Sequence, residues 1–171
     1  MASQRIRISI PKTYSEIWHD TISIAVLCVI ILYIGLLWNS LPSQVPIHFN
    51  AEGDADGWGS RTILLLLPGV SLILYIAFSI VSRYPHRFNY PVVITAENVQ
   101  EKYTLSRLLV SWLKLETILV LSYIEWSMLQ TAVGENHGVS FWLLPVCIAV
   151  MLCTIGWCLF LMLRNSKKPL A

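Results

Sequence analysis

The amino-acid sequence predicts an all-α membrane protein with four transmembrane helices, built as a single domain over residues 1–171. Composition is the first indication, because 56% of the residues are hydrophobic and 13% are charged, whereas about 25% charged residues are usual in soluble domains. Four apolar runs are the second, since each has the roughly 20 residues that a helix needs to cross a bilayer. The net charge of +2 rests on scattered basic residues, which argues against a nucleic-acid partner.

Residues 1–21 are expected at the cytoplasmic membrane surface. Thr13 and Glu16 have the spacing of a capping box, in which a hydroxyl and a carboxylate each satisfy a free amide at a helix start. With Trp18 at headgroup level, this pattern predicts a short interfacial helix. The uncharged run at 22–41 is too long for the core of a signal peptide, so we expect an uncleaved transmembrane helix there.

The remaining spans follow from the other apolar runs and the polar segments between them. Pro68 and Gly69 interrupt the second run, which predicts a kink in that helix. Pro145 lies in the first turns of the fourth run, where proline is tolerated. The predicted order is an outer loop at 42–61, a second span at 62–82, a cytoplasmic loop and helix at 83–104, a third span at 105–131, an outer loop at 132–139, a fourth span at 140–163 and a cytoplasmic tail at 164–171.

The distribution of basic residues predicts the orientation in the membrane. Only Arg61 falls in a predicted outer loop, and cytoplasmic loops are enriched in Lys and Arg. Both termini and the middle loop are therefore expected in the cytoplasm, so that the two outer loops face outward together. The residues predicted on the cytoplasmic side are Arg5, Arg7, Lys12, Arg83, Arg87, Lys102, Arg107, Arg164, Lys167 and Lys168.

The first outer loop holds the residues best suited to bind a ligand. Its prolines, glycines and carboxylates favour turns over helix. Glu52, Asp54 and Asp56 stand at alternate positions before Gly57, as oxygen ligands do at the start of a calcium loop. The calcium pattern then fails, because Ile63 occupies the position of the bidentate glutamate.

The same loop offers a second set of metal ligands. His48 with Asp54 or Asp56 matches the nitrogen and oxygen donors of a zinc site, and His137 in the other outer loop is a further candidate ligand. A solvated acidic turn explains the same residues without a metal, because Asp, Asn and Gly are common in exposed turns. Calcium, zinc and no metal stay open as alternatives.

The predicted third span carries three ionisable residues at membrane depth. Lys114 and Glu125 are eleven residues apart, so they share one helical face, whereas Glu116 points nearly opposite to Glu125. Snorkelling is expected to bring Lys114 to the inner boundary and Glu125 to the outer one. Glu116 lies near the middle of the span, too far from either boundary to snorkel. It is expected to pair with a Tyr, Ser or Trp of another helix or to stay protonated. A structural bond and a role in proton or ligand handling both stay open for it.

The first outer loop also carries a sequence pattern of its own, L-P-x-x-[IV]-P-x-H-[FW]-N-x-x-G-x-x-D-x-[WY]-G-S-K, with arginine in place of the final lysine. The matching residues are Leu41-Pro42, Val45-Pro46-Ile47-His48-Phe49-Asn50, Gly53 and Asp56-Gly57-Trp58-Gly59-Ser60-Arg61. This pattern resembles that of a bacterial membrane domain of unknown function at the N-terminus of SdpI-type immunity proteins. The segment 89–103, from Asn89 to Tyr103, also looks like a motif of short members of this group. The resemblance covers roughly residues 22–115.

The resemblance implies a protein of the bacterial cytoplasmic (inner) membrane whose outer loop is the signature element. In SdpI-type proteins this domain accompanies further helices, and the protein protects against a toxic peptide while signalling its presence. The present chain departs from that arrangement, because only two predicted helices follow the first pair.

The leading functional hypothesis is a non-enzymatic, multi-pass membrane protein whose outer loop binds a divalent metal ion (calcium or zinc) or a peptide. Its expected setting is envelope stress, toxin immunity or signalling. No catalytic residue is assigned in this hypothesis. The expected ligand-binding residues are His48, Asn50, Asp54, Asp56, Gly57 and Trp58.

Two other functional classes stay open. In a membrane enzyme or transporter, Glu116 and an outer site of His48 and Asp56 line one polar path through the bundle. Convergence of Asp54 and His137 on that site would favour this class. In an accessory subunit of a membrane complex, the segment 89–103 is the expected docking surface for a protein partner.

Overall fold

The computed structural model describes residues 6–135 and 138–164, in which four long helices carry a β hairpin at one end of the bundle. The hairpin is a departure from the predicted all-α class. Short 3-10 turns at Arg61–Leu65 and Pro85–Arg87 stand on either side of the second helix. The helices are α1 (Tyr14–Leu37), α2 (Leu66–Val81), α3 (Val99–Ala132) and α4 (Leu143–Arg164), and the strands are β1 (Gln44–Phe49) and β2 (Ala55–Ser60).

Helix α1 begins at the predicted capping box. The Thr13 amide donates to Glu16 Oε2 at 2.7 Å, and the Glu16 amide donates to Thr13 Oγ1 at 3.2 Å, so two amides without helical partners are satisfied. The helix then continues over 24 residues to Leu37. The predicted interfacial helix and the predicted first span are therefore one element.

Three helical segments of the described chain are long and apolar enough to span a membrane: Tyr14–Leu37, Arg61–Val81 and Leu143–Arg164. By length and composition, the chain is that of a membrane protein. Within Arg61–Val81 the 3-10 turn changes to α-helix at Leu66, so Pro68 lies in the first α-helical turn, where its missing amide costs no hydrogen bond. The helix type thus changes just before this proline, and the expected kink stays a prediction.

Helix α3 lies at the centre of the bundle and packs against α1, α2, α4 and β1. Its 34 residues span about 51 Å at 1.5 Å per residue, more than the ~30 Å of a hydrocarbon core. Its polar residues face the other helices, which is where membrane bundles place charge. The buried polar side chains of α3 are Lys102, Ser106, Arg107, Ser111, Lys114, Glu116, Ser122, Glu125 and Ser127.

Apolar packing fixes the hairpin to the helices. Val45 of β1 and Leu64 of the 3-10 turn are both 0% exposed. They belong to one buried cluster that joins α1, the hairpin and the last turns of α3, and this burial removes the apolar face of the hairpin from water. The cluster consists of Ile30, Ile34, Leu41, Val45, Leu64, Met128 and Leu129.

Candidate ligand-binding site at the hairpin end

The predicted outer loop folds into an antiparallel hairpin in which Phe49 pairs with Ala55. Asn50 holds the turn at its tip, because its side-chain Oδ1 accepts a hydrogen bond from the Asp54 amide at 2.8 Å. The Asn50 amide in turn donates to the Asp54 carbonyl at 2.9 Å. Asn commonly stabilises turns through such local bonds, so the predicted ligand residue Asn50 has a structural task at the tip.

The predicted ligand residues His48 and Asp56 lie side by side. His48 Nδ1 is 2.5 Å from Asp56 Oδ1, and the two side chains are 70% and 46% exposed. Gly57 stands opposite His48 in the strand pairing, and a Cβ at this position would lie 2.9 Å from His48 Cβ. Glycine at position 57 therefore makes room for the His48 side chain. Trp58 follows it on β2 and is 52% exposed.

The predicted metal ligand Asp54 does not join this pair. Within residues 6–135 and 138–164, no three His, Cys, Asp or Glu side chains are grouped so that they hold a metal ion. Asp54 forms a backbone bridge with Gly138 and is exposed. His137 lies outside the described residues. The fold thus brings together two of the predicted metal ligands, His48 and Asp56.

The two predicted outer loops contact each other at the hairpin tip. The Val139 amide donates to the Gly53 carbonyl at 2.9 Å, and the Ser127 hydroxyl of α3 donates to the Gly138 carbonyl at 2.5 Å. Gly53 has a φ of 95°, and a Cβ there would collide with the Val139 carbonyl. A glycine is therefore required where the tip meets the segment that leads into α4.

An apolar groove opens beside this contact. Helices α2 and α4 both pack on α3 but make no extensive contact with each other in the described chain, which leaves a cavity of about 610 Å³ between them. Val120, Ile124 and Met128 of α3 form its floor, and the hairpin closes one end through Phe49 and Ala51. The volume lies within the range of roughly 300–1,000 Å³ that is usual for ligand pockets. We call this cavity the apolar groove.

The apolar groove adjoins an acidic surface formed by Glu52 and Asp54, which we call its rim. A neighbouring cavity of about 290 Å³ shares wall residues with the groove, among them Gly53, and is also lined by Glu52 and Asp54. Both carboxylates are exposed. The basic residue of this loop, Arg61, is engaged elsewhere, because its Nη1 donates to the Trp38 carbonyl at 3.2 Å and its guanidinium stacks on the Trp38 ring. The rim therefore carries an excess of negative charge.

Lys114 lies inside the bundle near the opposite end. Its ammonium pairs with Asp20 of α1 and donates to Ser79 Oγ of α2 at 3.3 Å, and its side chain is 5% exposed. These partners hold the charge between the helices, and the expected position of Lys114 at the inner membrane boundary stays a prediction. The sequence analysis did not single out Asp20. The available signal was a second carboxylate, four residues after Glu16, near the start of a helix with no further Asp or Glu.

The two glutamates of α3 differ in their partners. Glu116 Oε1 accepts a hydrogen bond from the Thr154 hydroxyl of α4 at 2.5 Å, so its partner on another helix is a threonine and not the expected Tyr, Ser or Trp. Glu125 is 1% exposed, and neither of its carboxyl oxygens has a hydrogen-bond partner in the described chain. The prediction that Glu125 reaches the outer boundary is therefore wrong. Neither glutamate lines the apolar groove, so Glu116 and the His48–Asp56 pair do not share that cavity.

The predicted docking segment 89–103 packs against the bundle at the end where α1 begins. The Tyr103 hydroxyl donates to the Ile6 carbonyl at 2.9 Å. Lys102 is 0% exposed and donates to the Met162 carbonyl of α4 at 2.9 Å, and a lysine can stabilise the last carbonyls of a helix in this way. The last residues of this segment are therefore committed to contacts within the chain, whereas more than half of its residues are exposed.

Comparison with known proteins supports part of the resemblance. Residues 24–72, which include the hairpin, match the family described as a domain of unknown function, DUF1648. An uncharacterized protein of Archaeoglobus fulgidus is 43% identical over 68 residues, which cover 35% of this chain and 37% of that protein. The chain thus spans little more than a third of the length of that relative. No solved structure matches the chain.

Proposed function

We propose that this protein is a membrane receptor whose hairpin end binds a cationic, partly apolar peptide. The observation that carries this proposal is the apolar groove with its acidic rim. The floor formed by Ile124 and its neighbours suits apolar side chains. Glu52 and Asp54 at the rim attract positive charge and repel the phosphate groups of lipids.

A peptide fits this site better than a metal ion. The pair of His48 and Asp56 supplies two donors, whereas closed zinc sites use four and calcium sites use six or more. A peptide backbone needs both hydrogen-bond donors and acceptors. Asn50, Ser140 and the backbone of the hairpin tip provide such groups beside the apolar floor.

The proposed setting is immunity to a toxic peptide, envelope stress or signalling in a bacterial inner membrane. The resemblance of the hairpin sequence to SdpI-type proteins supports this setting. In the proposal α3 supplies the predicted third span, because its length exceeds a bilayer and most of its charged residues are buried against other helices. Both termini then lie in the cytoplasm, on the side that carries most basic residues.

Cysteine labelling tests this orientation. The four native cysteines are first replaced by alanine. Ser43→Cys and Ala96→Cys are then introduced one at a time, because positions 43 and 96 are both exposed. We expect a membrane-impermeant maleimide to label Ser43→Cys in intact cells and Ala96→Cys only after lysis. The reverse labelling would contradict the orientation.

Peptide binding is tested with the full-length protein in lipid nanodiscs. A dye-labelled peptide of alternating Lys and Leu residues is titrated, and its fluorescence anisotropy gives the dissociation constant. Ile124→Trp fills the floor of the groove and is expected to weaken binding about tenfold, or ~1.4 kcal/mol. The matched control Val150→Trp adds the same side chain on α4 outside the groove and is expected to leave binding unchanged.

Charge is tested separately from shape. Glu52→Gln combined with Asp54→Asn is expected to weaken binding severalfold and to reduce its dependence on salt, since rim charges act through long-range attraction.

Equal affinity of wild type and Ile124→Trp would contradict the groove as the binding site. A lipid that co-purifies with wild type and is lost in Ile124→Trp would replace the peptide as occupant.

A further inference from the structure

A second cavity lies at the end of the bundle opposite the hairpin. It has a volume of about 310 Å³ and is formed where α1 begins and α2 ends, beside α3. We call it the basic cavity, because cations outnumber carboxylates in its lining. Its charged residues are Lys12, Glu16, Asp20, Arg83, Arg107 and Lys114, which give four positive and two negative charges and a net charge of +2.

The two carboxylates are fully engaged by the cations around them. Glu16 Oε1 lies 2.8 Å from Arg107 Nη2, and Glu16 Oε2 accepts the Thr13 amide in the helix cap. Asp20 is shared, because Lys12 Nζ lies 2.6 Å from Oδ2 while Lys114 binds Oδ1. No carboxylate oxygen in the lining is left for a further cation.

Arg83 supplies one of the two positive charges that these pairs leave over, and the other stays with Lys12 and Lys114, which share Asp20. It is exposed, lines the cavity, and forms no ion pair in the described residues. The serines Ser79, Ser82 and Ser111 line the same wall, so hydroxyl groups stand beside the cations. Arginine with neighbouring donors is the combination that recognises phosphate oxygens.

Aromatic residues place the basic cavity at the level of lipid headgroups. Tyr14 and Trp18 lie in the first turns of α1, next to the cavity residue Glu16, and are 86% and 64% exposed. Exposed tyrosine and tryptophan mark the interface between membrane and water. A phosphate group at this interface is within reach of Arg83 and Lys12.

We propose that the basic cavity binds a phosphate group. The surplus of two positive charges attracts both a phosphodiester, which carries one negative charge, and a phosphomonoester, which carries nearly two, and the location suits an anionic lipid headgroup. A soluble phosphate ester has the same chemistry, and the test separates these two sources. The cavity shares no lining residue with the apolar groove, so this inference does not depend on the proposed peptide binding.

The test measures the thermal unfolding midpoint of the full-length protein in mixed micelles. Phosphatidylglycerol is titrated in one series, phosphatidylcholine in a second and inorganic phosphate in a third. We expect phosphatidylglycerol to raise the Tm in a saturable way and phosphatidylcholine to have no such effect. Stabilisation by inorganic phosphate alone at millimolar concentration would assign the cavity to a soluble phosphate compound.

Arg83→Gln removes one of the two surplus charges without breaking an ion pair of the described residues. It is expected to weaken the apparent affinity for phosphatidylglycerol about fivefold, the usual effect of one basic residue at an anionic membrane surface. The control Arg87→Gln removes an exposed charge of the same membrane side that does not line the cavity, and should leave the affinity unchanged. Equal losses in both variants, or no stabilisation by phosphatidylglycerol or phosphate, would overturn the proposal.

Discussion

Replacement of Glu125 by methionine is expected to stabilise the protein. The carboxyl group is buried within α3, and neither oxygen has a hydrogen-bond partner in the described residues. A buried polar group without a partner costs roughly 1–3 kcal/mol. Methionine has a similar length, no strongly polar atom and a flexible side chain that adapts to its surroundings. We therefore expect the free energy of unfolding of Glu125→Met to rise by about 1–3 kcal/mol.

Glu116→Met is the matched control on the same helix. Glu116 Oε1 accepts from Thr154, whereas Glu116 Oε2 has no partner in the described chain. The substitution removes one unsatisfied oxygen but leaves the Thr154 hydroxyl without this acceptor. Because these two effects oppose each other, the free energy of unfolding should stay within about 1 kcal/mol of wild type.

The assay is reversible unfolding of the full-length protein by SDS in mixed micelles, followed by the loss of helical circular dichroism. Wild type, Glu125→Met and Glu116→Met are compared at one pH and one detergent composition. A loss of more than about 1 kcal/mol in Glu125→Met would show that the carboxyl group makes a net stabilising bond, and it would refute this reasoning. Equal changes in both variants would also refute it.

Further predictions concern a buried ion pair and two glycines. Asp20→Asn is expected to destabilise the protein by about 3 kcal/mol, because it leaves Lys114 buried without its main counter-charge. The double variant Asp20→Asn/Lys114→Met should recover most of this loss in the same SDS assay, and simple additivity would contradict the coupling. Gly57→Val is expected to destabilise the hairpin by about 1–3 kcal/mol, since its Cβ would lie 2.9 Å from His48 Cβ, and limited proteolysis should then cut the hairpin sooner. Gly35→Ala meets no atom within 4 Å and should leave the cleavage rate unchanged or lower it, because alanine favours helix by up to about 1 kcal/mol; equal cleavage of both variants would argue against the close contact.

The lipid-facing helices were the part of the fold most accessible from sequence. A helix that borders lipid must be apolar along its length, because the bilayer offers no partner for polar groups. Because of this requirement, α1, α2 and α4 could be predicted from apolar runs in the sequence. The start of α1 was equally accessible, because the bonds between Thr13 and Glu16 join residues three positions apart.

The hairpin could not be predicted from the sequence, because the residues of β2 are typical of a turn. Gly57 and Gly59 disfavour strands by their intrinsic preference. Here their lack of a side chain is needed, because a Cβ at either position would lie within 3.1 Å of a β1 side chain, that of His48 or Ile47. Close packing between the strands thus overrides the local preference, and only the paired structure reveals this.

The partners of the buried charges could not be predicted from the sequence either, for a different reason. Lys114 binds Asp20, 94 residues earlier, and Glu116 binds Thr154, 38 residues later. Spacing within α3 showed which charges share a face, but it contains no information about which helix each face meets. The apolar groove could not be predicted from the sequence for the same reason, since the hairpin, α2, α3 and α4 all contribute to its walls.

The continuity of α3 has a mechanical consequence. The same helix forms the floor of the apolar groove at Met128 and a wall of the basic cavity at Arg107, and these residues are about 32 Å apart along its axis. When such a helix moves as a rigid body, a tilt of roughly 10° about the midpoint between these two residues displaces each of them by about 3 Å, in opposite directions. A load at the hairpin end of the bundle would thus be felt at the opposite end through one continuous helix.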